Sequence, residues 1–231
     1  VLVDCGLGLR ELADRLEHRG LEVSAIDLML VTHEHGDHSA GVARVARQAQ
    51  CPVVCTHGTR LAMGEGFVGL TGLLPLHAGS RFDYFGLGIE LIAVPHDARE
   101  PVAVRFGAAG LSFAVVTDLG HCSAHVVEAL QGLDGLFLEF NHDVEMLRLG
   151  PYAPKLKARV GGDYGHLSNA QAAQLLTQVK GPRLQQLVAA HLSQVNNAEE
   201  RVRDSVSEIE WGQTQFQIAS QAAGVNWIAL E

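Results

Sequence analysis

No apolar run approaches the roughly 18 residues that a membrane span needs, and no segment reads as a secretory leader. Cysteine is scarce, with four in 231 residues. That is too few for a disulfide scaffold and fits a reducing, cytoplasmic compartment. Basic residues are outnumbered: 17 Lys and Arg stand against 26 Asp and Glu, for a net charge of −9. Proteins that grip nucleic acid by bulk electrostatics are usually basic, so any such binding here must be local. Charged residues make up only 19% and hydrophobic ones 47%, which excludes disorder over most of the length. A chain of this length buries a full core. It shows neither an internal repeat nor a linker long enough to separate domains. The reading is one α/β domain over residues 1–231, with sheets carrying helices on their outer faces. What is abundant is histidine, with 12.

The apolar runs 1–3, 28–31, 52–55, 89–94, 102–106, 111–116, 135–138 and 187–190 read as strands, and 226–230 as a last one. Residues 9–16, 40–48, 59–63, 124–130 and 169–179 read as helices. Gly20 stops the first of these, and Ser168 or Asn169 caps the last.

The histidines gather where strands end. His33, His35, Asp37 and His38 form H-x-H-x-D-H directly after the run 28–31. Imidazole nitrogens with a carboxylate suit zinc, manganese or iron. In an extended segment residues 33 and 35 point the same way, as do 35 and 37. A turn then aims Asp37 and His38 at a second position, so one short segment serves two metals. Three more ligand-type residues follow strands in the same manner: His96 in Pro95-His96-Asp97, Asp118 in Thr117-Asp118-Leu119-Gly120, and His191 after residues 187–190. Any one alone is weak, because a lone His after a strand is more often an ordinary satisfied residue. A sheet scaffold presents such side chains to a cleft on rigid elements.

These residues resemble the metallo-β-lactamase superfamily. Asp4 in Asp4-Cys5-Gly6 matches its first motif and His33, His35, Asp37 and His38 its second. His96, Asp118 and His191 match the third, fourth and fifth. The strings Leu138-Glu139-Phe140-Asn141-His142-Asp143, Gly165-His166-Leu167-Ser168-Asn169 and His191-Leu192-Ser193 look closest to the YycJ/WalJ-like branch, related to ribonuclease Z. The resemblance implies an αββα metallo-β-lactamase-type sandwich and a pair of divalent metal ions, zinc or manganese. It implies that His33, His35 and His96 hold one ion, Asp37, His38 and His191 the other, and that Asp118 bridges them. It further implies a DNA exonuclease, 5′ to 3′ in direction, with nucleic acid as partner, DNA before RNA, and no membrane. Family members open with a strand and a Gly/Ser-rich turn ahead of the strand that ends at Asp4. The sequence as it stands lacks that first N-terminal strand.

A phosphodiester is anionic and repels hydroxide. Two metals about 3.5–4 Å apart hold a bridging water, lower its pKa and take up charge on the attacked phosphoryl group. Asp37 is also expected to orient the nucleophile. By resemblance, His166 gives a proton to the leaving oxygen or stabilises charge on it. Asp4, Glu139 and Asn141 are expected to support the ligands, since metal-bound His residues commonly donate their other N–H to a carboxylate. Lys155, Lys157 and Arg159 form a short basic stretch able to meet phosphates, or simply a solvated helix face. His57, His77, His121 and His125 have no motif behind them. Two other readings stay open: hydrolysis of small esters, thioesters or lactams on the same fold, and a non-catalytic metal-binding module.

Overall fold

Short runs of Val, Leu and Ile become buried strands because branched side chains pack well on a pleated surface. The computed structural model describes residues 1–67, 69–70 and 72–231. They form two compact units, residues 1–80 with 98–102, and residues 81–97 with 103–231. Each unit is one α/β pair of layers with its own core.

The first unit contains β1 (Leu2–Val3), α1 (Leu9–Glu17), β2 (Met29–Val31), α2 (Gly36–Ser39), α3 (Val42–Ala49), β3 (Val53–Thr56), α4 (His57–Met63) and β4 (Leu73–Leu76). Its four strands run in the order β1-β2-β3-β4 and all pair parallel. The middle strands are buried on both faces, as parallel sheets require. Leu12 of α1 and Val42, Val45 and Ala46 of α3 pack with Met29, Val31, Val53 and Cys55. Because the strands are parallel, their C-terminal ends share one edge of the sheet. The H-x-H-x-D-H segment leaves from that edge. Sequence pattern missed β4, whose Pro75 cannot donate to a ladder. It is tolerated because β4 is an edge strand.

The second unit contains β5 (Arg81–Tyr84), β6 (Leu87–Ala93), β7 (Val102–Ala108, whose first residue clusters with the first unit), β8 (Leu111–Val116), α5 (Ala124–Ala129), β9 (Gly135–Glu139), α6 (Val144–Leu149), α7 (Pro154–Val160), α8 (Asn169–Val179), β10 (Gln186–Ala190), α9 (Glu199–Ser205) and β11 (Gln215–Ile218). The sheet order is β11-β10-β9-β8-β7-β6-β5. Strands β8 to β11 are parallel, while β7 with β8 and β5 with β6 are antiparallel hairpins. Apolar residues of α5, α8 and α9 cover Ala114, Val116, Leu136, Leu138, Leu187 and Ala189. Ser168, not Asn169, caps α8, in a reciprocal capping box with Gln171. The strand expected at 226–230 does not form. β11 already occupies the outer side of β10, and the tail instead exchanges hydrogen bonds between Glu231 and the Gln185 side chain. All four cysteines are free thiols. Among the described residues no helix is long and apolar enough to cross a membrane.

One ion pair locks the far end of this sheet. Asp134, 2% exposed, accepts from the Ser112 backbone N–H at 2.7 Å and from the Arg183 guanidinium at 2.8–3.1 Å. Burial alone would raise the pKa of this carboxyl, but the bonds from Arg183 and Ser112 hold it below the ordinary value of 3.8. A depressed folded pKa adds stability that is complete above the unfolded value and lost as pH falls through the folded one. Urea midpoints should therefore place Asp134→Asn below the parent at neutral pH, with the gap closing only under acid conditions. A gap independent of pH would refute the charge contribution.

Candidate metal centre

In the first unit Asp4 directly follows β1, and its φ of 57° turns the chain sharply at the sheet edge. Asp tolerates this left-handed region better than most residues. Asp4 Oδ1 accepts the Thr32 backbone N–H at 2.7 Å, and Oδ2 accepts the Thr32 hydroxyl at 2.7 Å and His38 Nδ1 at 2.8 Å. The Thr32 hydroxyl, its proton committed to Asp4, in turn accepts from His33 Nδ1 at 3.0 Å. One carboxylate thus sets the orientation of two imidazoles. Thr32 was not singled out from sequence; its signal was only that it precedes His33. His33 Nε2 lies 3.0 Å from His35 Nδ1, close to the spacing of about 3.3 Å that adjacent nitrogens have around tetrahedral zinc. The alternation holds for His33 and His35 but not for Asp37. Residues 36–39 close into the single turn α2, which lifts Asp37 outward, 71% exposed, and keeps His38 buried. Asp37 Oδ2 is 3.5 Å from His38 Nε2. Gly6 lets this turn pass: a Cβ there would run into the Asp37 backbone carbonyl.

In the second unit the ligand-type residues again stand at strand ends. His96 follows β6; it is 4% exposed and donates Nδ1–H to the Gly165 carbonyl at 2.9 Å. Its Nε2 is 3.5 Å from Asp118 Oδ1 and 3.4 Å from Asp97 Oδ1. Burial pushes the His96 pKa down, against the pull of Asp118, and favours the neutral imidazole that ligates metals. Asp118 follows β8 and His191 follows β10, both at φ 56°. Among the described residues, three of the six non-glycine positions with positive φ are Asp4, Asp118 and His191, and such backbone strain is commonly concentrated at functional positions.

Glu139, at the end of β9 and fully buried, is the hub of this unit. Oε1 accepts from His166 Nδ1 at 2.9 Å, His191 Nδ1 at 2.7 Å and the Asp118 N–H at 3.2 Å. Oε2 accepts the N–H groups of Leu119 at 3.1 Å and Leu167 at 2.9 Å. Burial works to raise its pKa, but the bonds and charges of His166 and His191 hold it down to about 2. Burial likewise opposes the charged form of His166, yet Glu139 raises its pKa overall. Donor atoms of Asp118, Glu139, His166 and His191 all lie within 4.8 Å of one another. Asn141 Nδ2 donates to the His191 carbonyl at 3.2 Å, steadying the loop that carries that imidazole. His142 is buried, and its Nδ1 has no hydrogen-bond partner among the described residues.

The basic stretch is divided in its employment. Lys155 is exposed on α7, and Lys157 Nζ caps the Arg148 carbonyl at 2.7 Å. Arg159 pairs through Nε and a second nitrogen with Asp97, the residue beside His96. That link, and the Gly165 carbonyl under His96, were not visible in sequence. Gly165 is required where it stands, since a Cβ would run into the carbonyls of Arg159 and Val160.

The donor chemistry fits divalent cations. Carboxylates and carbonyls only accept hydrogen bonds, so Asp4, Gly165 and Glu139 place the protons of His38, His96 and His191 on Nδ1 and the lone pairs on Nε2. Such hydrogen bonding orients metal-binding imidazoles and raises their basicity.

Comparison with known proteins bears on the same residues. The family described as "Beta-lactamase superfamily domain" matches residues 1–192. Exodeoxyribonuclease WalJ of Streptococcus pneumoniae serotype 2 (strain D39 / NCTC 7466) is 34% identical over 204 residues, 87% of this chain and 76% of that protein. Exodeoxyribonuclease YycJ of Bacillus anthracis is 33% identical over 215 residues, 90% of this chain and 80% of that one. Among solved structures, the metallo-β-lactamase fold protein YhfI from Bacillus subtilis aligns with a TM-score of 0.71 at 15% identity, covering 97% of this chain and 85% of its own. The short form of human tRNase Z aligns at 0.57 and 19% identity, covering 83% and 81%. Fold, motifs and relatives agree: the chain belongs to the metallo-β-lactamase superfamily, in the branch that holds WalJ and YycJ.

Proposed function

We propose that residues 1–231 act as a single metal-dependent hydrolase domain that cleaves DNA phosphodiesters from an end, 5′ to 3′. The observation that carries this reading is the set of imidazoles His33, His38, His96 and His191, each oriented through Nδ1 by Thr32, Asp4, the Gly165 carbonyl or Glu139. The names of the two relatives support the substrate class. His33, His35 and His96 are assigned to one divalent cation and Asp37, His38 and His191 to a second, with Asp118 shared. The mixed nitrogen and oxygen donors suit zinc or manganese. Bound cations supply an activated water at neutral pH and charge neutralisation at the phosphoryl oxygens.

The chain does the rest. Asp37, on its exposed turn, orients the attacking water. Glu139 holds one proton on His166 Nδ1, and the raised pKa of this imidazole favours a second proton on Nε2. Delivered to the departing sugar oxygen, that proton completes a general-acid step. Four free thiols fit a reducing cytoplasm.

Digestion of 5′- and 3′-labelled single- and double-stranded oligonucleotides with zinc or manganese tests this directly. Stepwise release of nucleotides from the 5′ end of DNA is expected, together with turnover of bis-p-nitrophenyl phosphate. Turnover of nitrocefin or a thioester, with DNA left intact, would overturn the reading in favour of small-ester or lactam hydrolysis.

A further inference from the structure

His57 and His77 carry no motif, yet the first unit sets them in line with the metal-binding segment. Val31 of β2 pairs with Cys55 of β3, and Cys55 with Pro75 of β4. His33, His57 and His77 each stand two residues beyond these matched positions. They therefore leave the same edge of one parallel sheet in three successive strands. Strands are spaced by about 4.8 Å, so the row steps away from His33 by roughly 5 and then 10 Å.

The two outer histidines are built into place rather than scattered. Their rings lie 5.7 Å apart. Glu100 fastens both connections: Oε1 accepts from His77 Nδ1 and the Ala78 N–H, each at 3.1 Å, and Oε2 accepts the Gly58 N–H at 2.5 Å. The Glu100 backbone carbonyl also accepts the Thr56 hydroxyl at 2.7 Å. Gly58 is needed for this approach, because a Cβ would run into the Glu100 side chain. Burial works to raise the Glu100 pKa, but these donors hold it below the ordinary carboxylate value, so the anchor of the two connections stays charged. Arg60 stands three residues after His57 on α4, which places the two on neighbouring helix positions, and both are exposed. In a chain of net charge −9, this is the local cationic ground that an acidic nuclease needs.

We propose that the His57–Arg60–His77 row is a phosphate track: it holds the backbone of one DNA strand beyond the bond being cut, continuing the edge that carries His33. The His57 imidazole and the Arg60 guanidinium donate to non-bridging oxygens, and the imidazole faces of His57 and His77 can stack on bases. Glu100 is the positioning residue. The inference rests on the nuclease reading and deepens it by naming where the uncleaved strand lies.

Binding of a fluorescent, non-hydrolysable single-stranded 20-mer to the metal-loaded chain, measured by anisotropy across salt concentrations, tests it. The double variant His57→Ala with His77→Ala should weaken binding about fivefold to tenfold. The pair His57→Lys with His77→Lys should restore the affinity, because it returns donors without the imidazole shape. Unchanged affinity in the alanine pair overturns the track, as does equal weakening in both pairs. If the parent cleaves DNA while the alanine pair binds as tightly as the parent, only this inference falls. If the parent neither binds nor cleaves DNA, the nuclease reading falls with it.

Discussion

Asp118→Asn should lower kcat/KM for oligonucleotide cleavage by about a thousandfold or more, equivalent to about 4 kcal/mol of transition-state stabilisation. The carboxylate is 2% exposed and faces His96 Nε2 at 3.5 Å and His191 Nε2 at 3.8 Å. Two imidazole nitrogens that carry lone pairs and one buried anion make a place for positive charge. The amide has the same shape but no charge, and half of it is an N–H₂ that cannot ligate. Metal content measured on the purified variant should fall alongside activity. The fold should persist, because the backbone N–H of residue 118 still reaches Glu139 and no cavity is opened. Far-UV dichroism should match the parent. Full turnover in a folded Asp118→Asn protein would remove the ground for a metal-dependent mechanism.

That residue was legible in the sequence because it obeys a simple rule. His33, His96, Asp118 and His191 each follow an apolar run, and each stands just past the end of a strand. The apolar runs found most strands for the same reason. What escaped has physical causes. β4 contains Pro75 and is half exposed, so its pattern is that of an edge. Two glutamines leave β11 only a weak apolar signal. α7 opens on Pro154 and buries no residue fully, so it has no apolar stripe to read. The supports of the site were hardest to see. Thr32 acts through a hydroxyl shared between Asp4 and His33, Gly165 through a carbonyl, and Arg159 through Asp97, 62 positions away in the chain. None of these belongs to a residue type that announces metal chemistry. The left-handed backbone of Asp4, Asp118 and His191 has no sequence signature either, because Asp and His are chosen there for their side chains.

Glu139→Gln should be the most damaging single change, and in a different way from Asp118→Asn. The carboxylate accepts five hydrogen bonds, from three backbone N–H groups and two imidazoles. A glutamine offers one acceptor oxygen and turns an N–H₂ toward donors that have nothing else to meet. Removing one partner from a buried charged network typically costs about 3–5 kcal/mol, so the urea midpoint should drop steeply. Where the protein still folds, His166 and His191 lose the acceptor that fixes the proton on Nδ1. The imidazole of His191 then no longer presents its lone pair in one orientation, and metal affinity should fall about tenfold to a hundredfold. His166 loses the partner that raises its pKa, so the alkaline limb of the pH–rate profile, set by the general acid, should move to lower pH. The two variants therefore separate by measurement: Asp118→Asn loses turnover with stability intact, whereas Glu139→Gln loses stability, metal affinity and turnover together. A stable, metal-replete Glu139→Gln protein would mean that the hub only joins strands, and that the imidazoles are oriented by something other than this carboxylate.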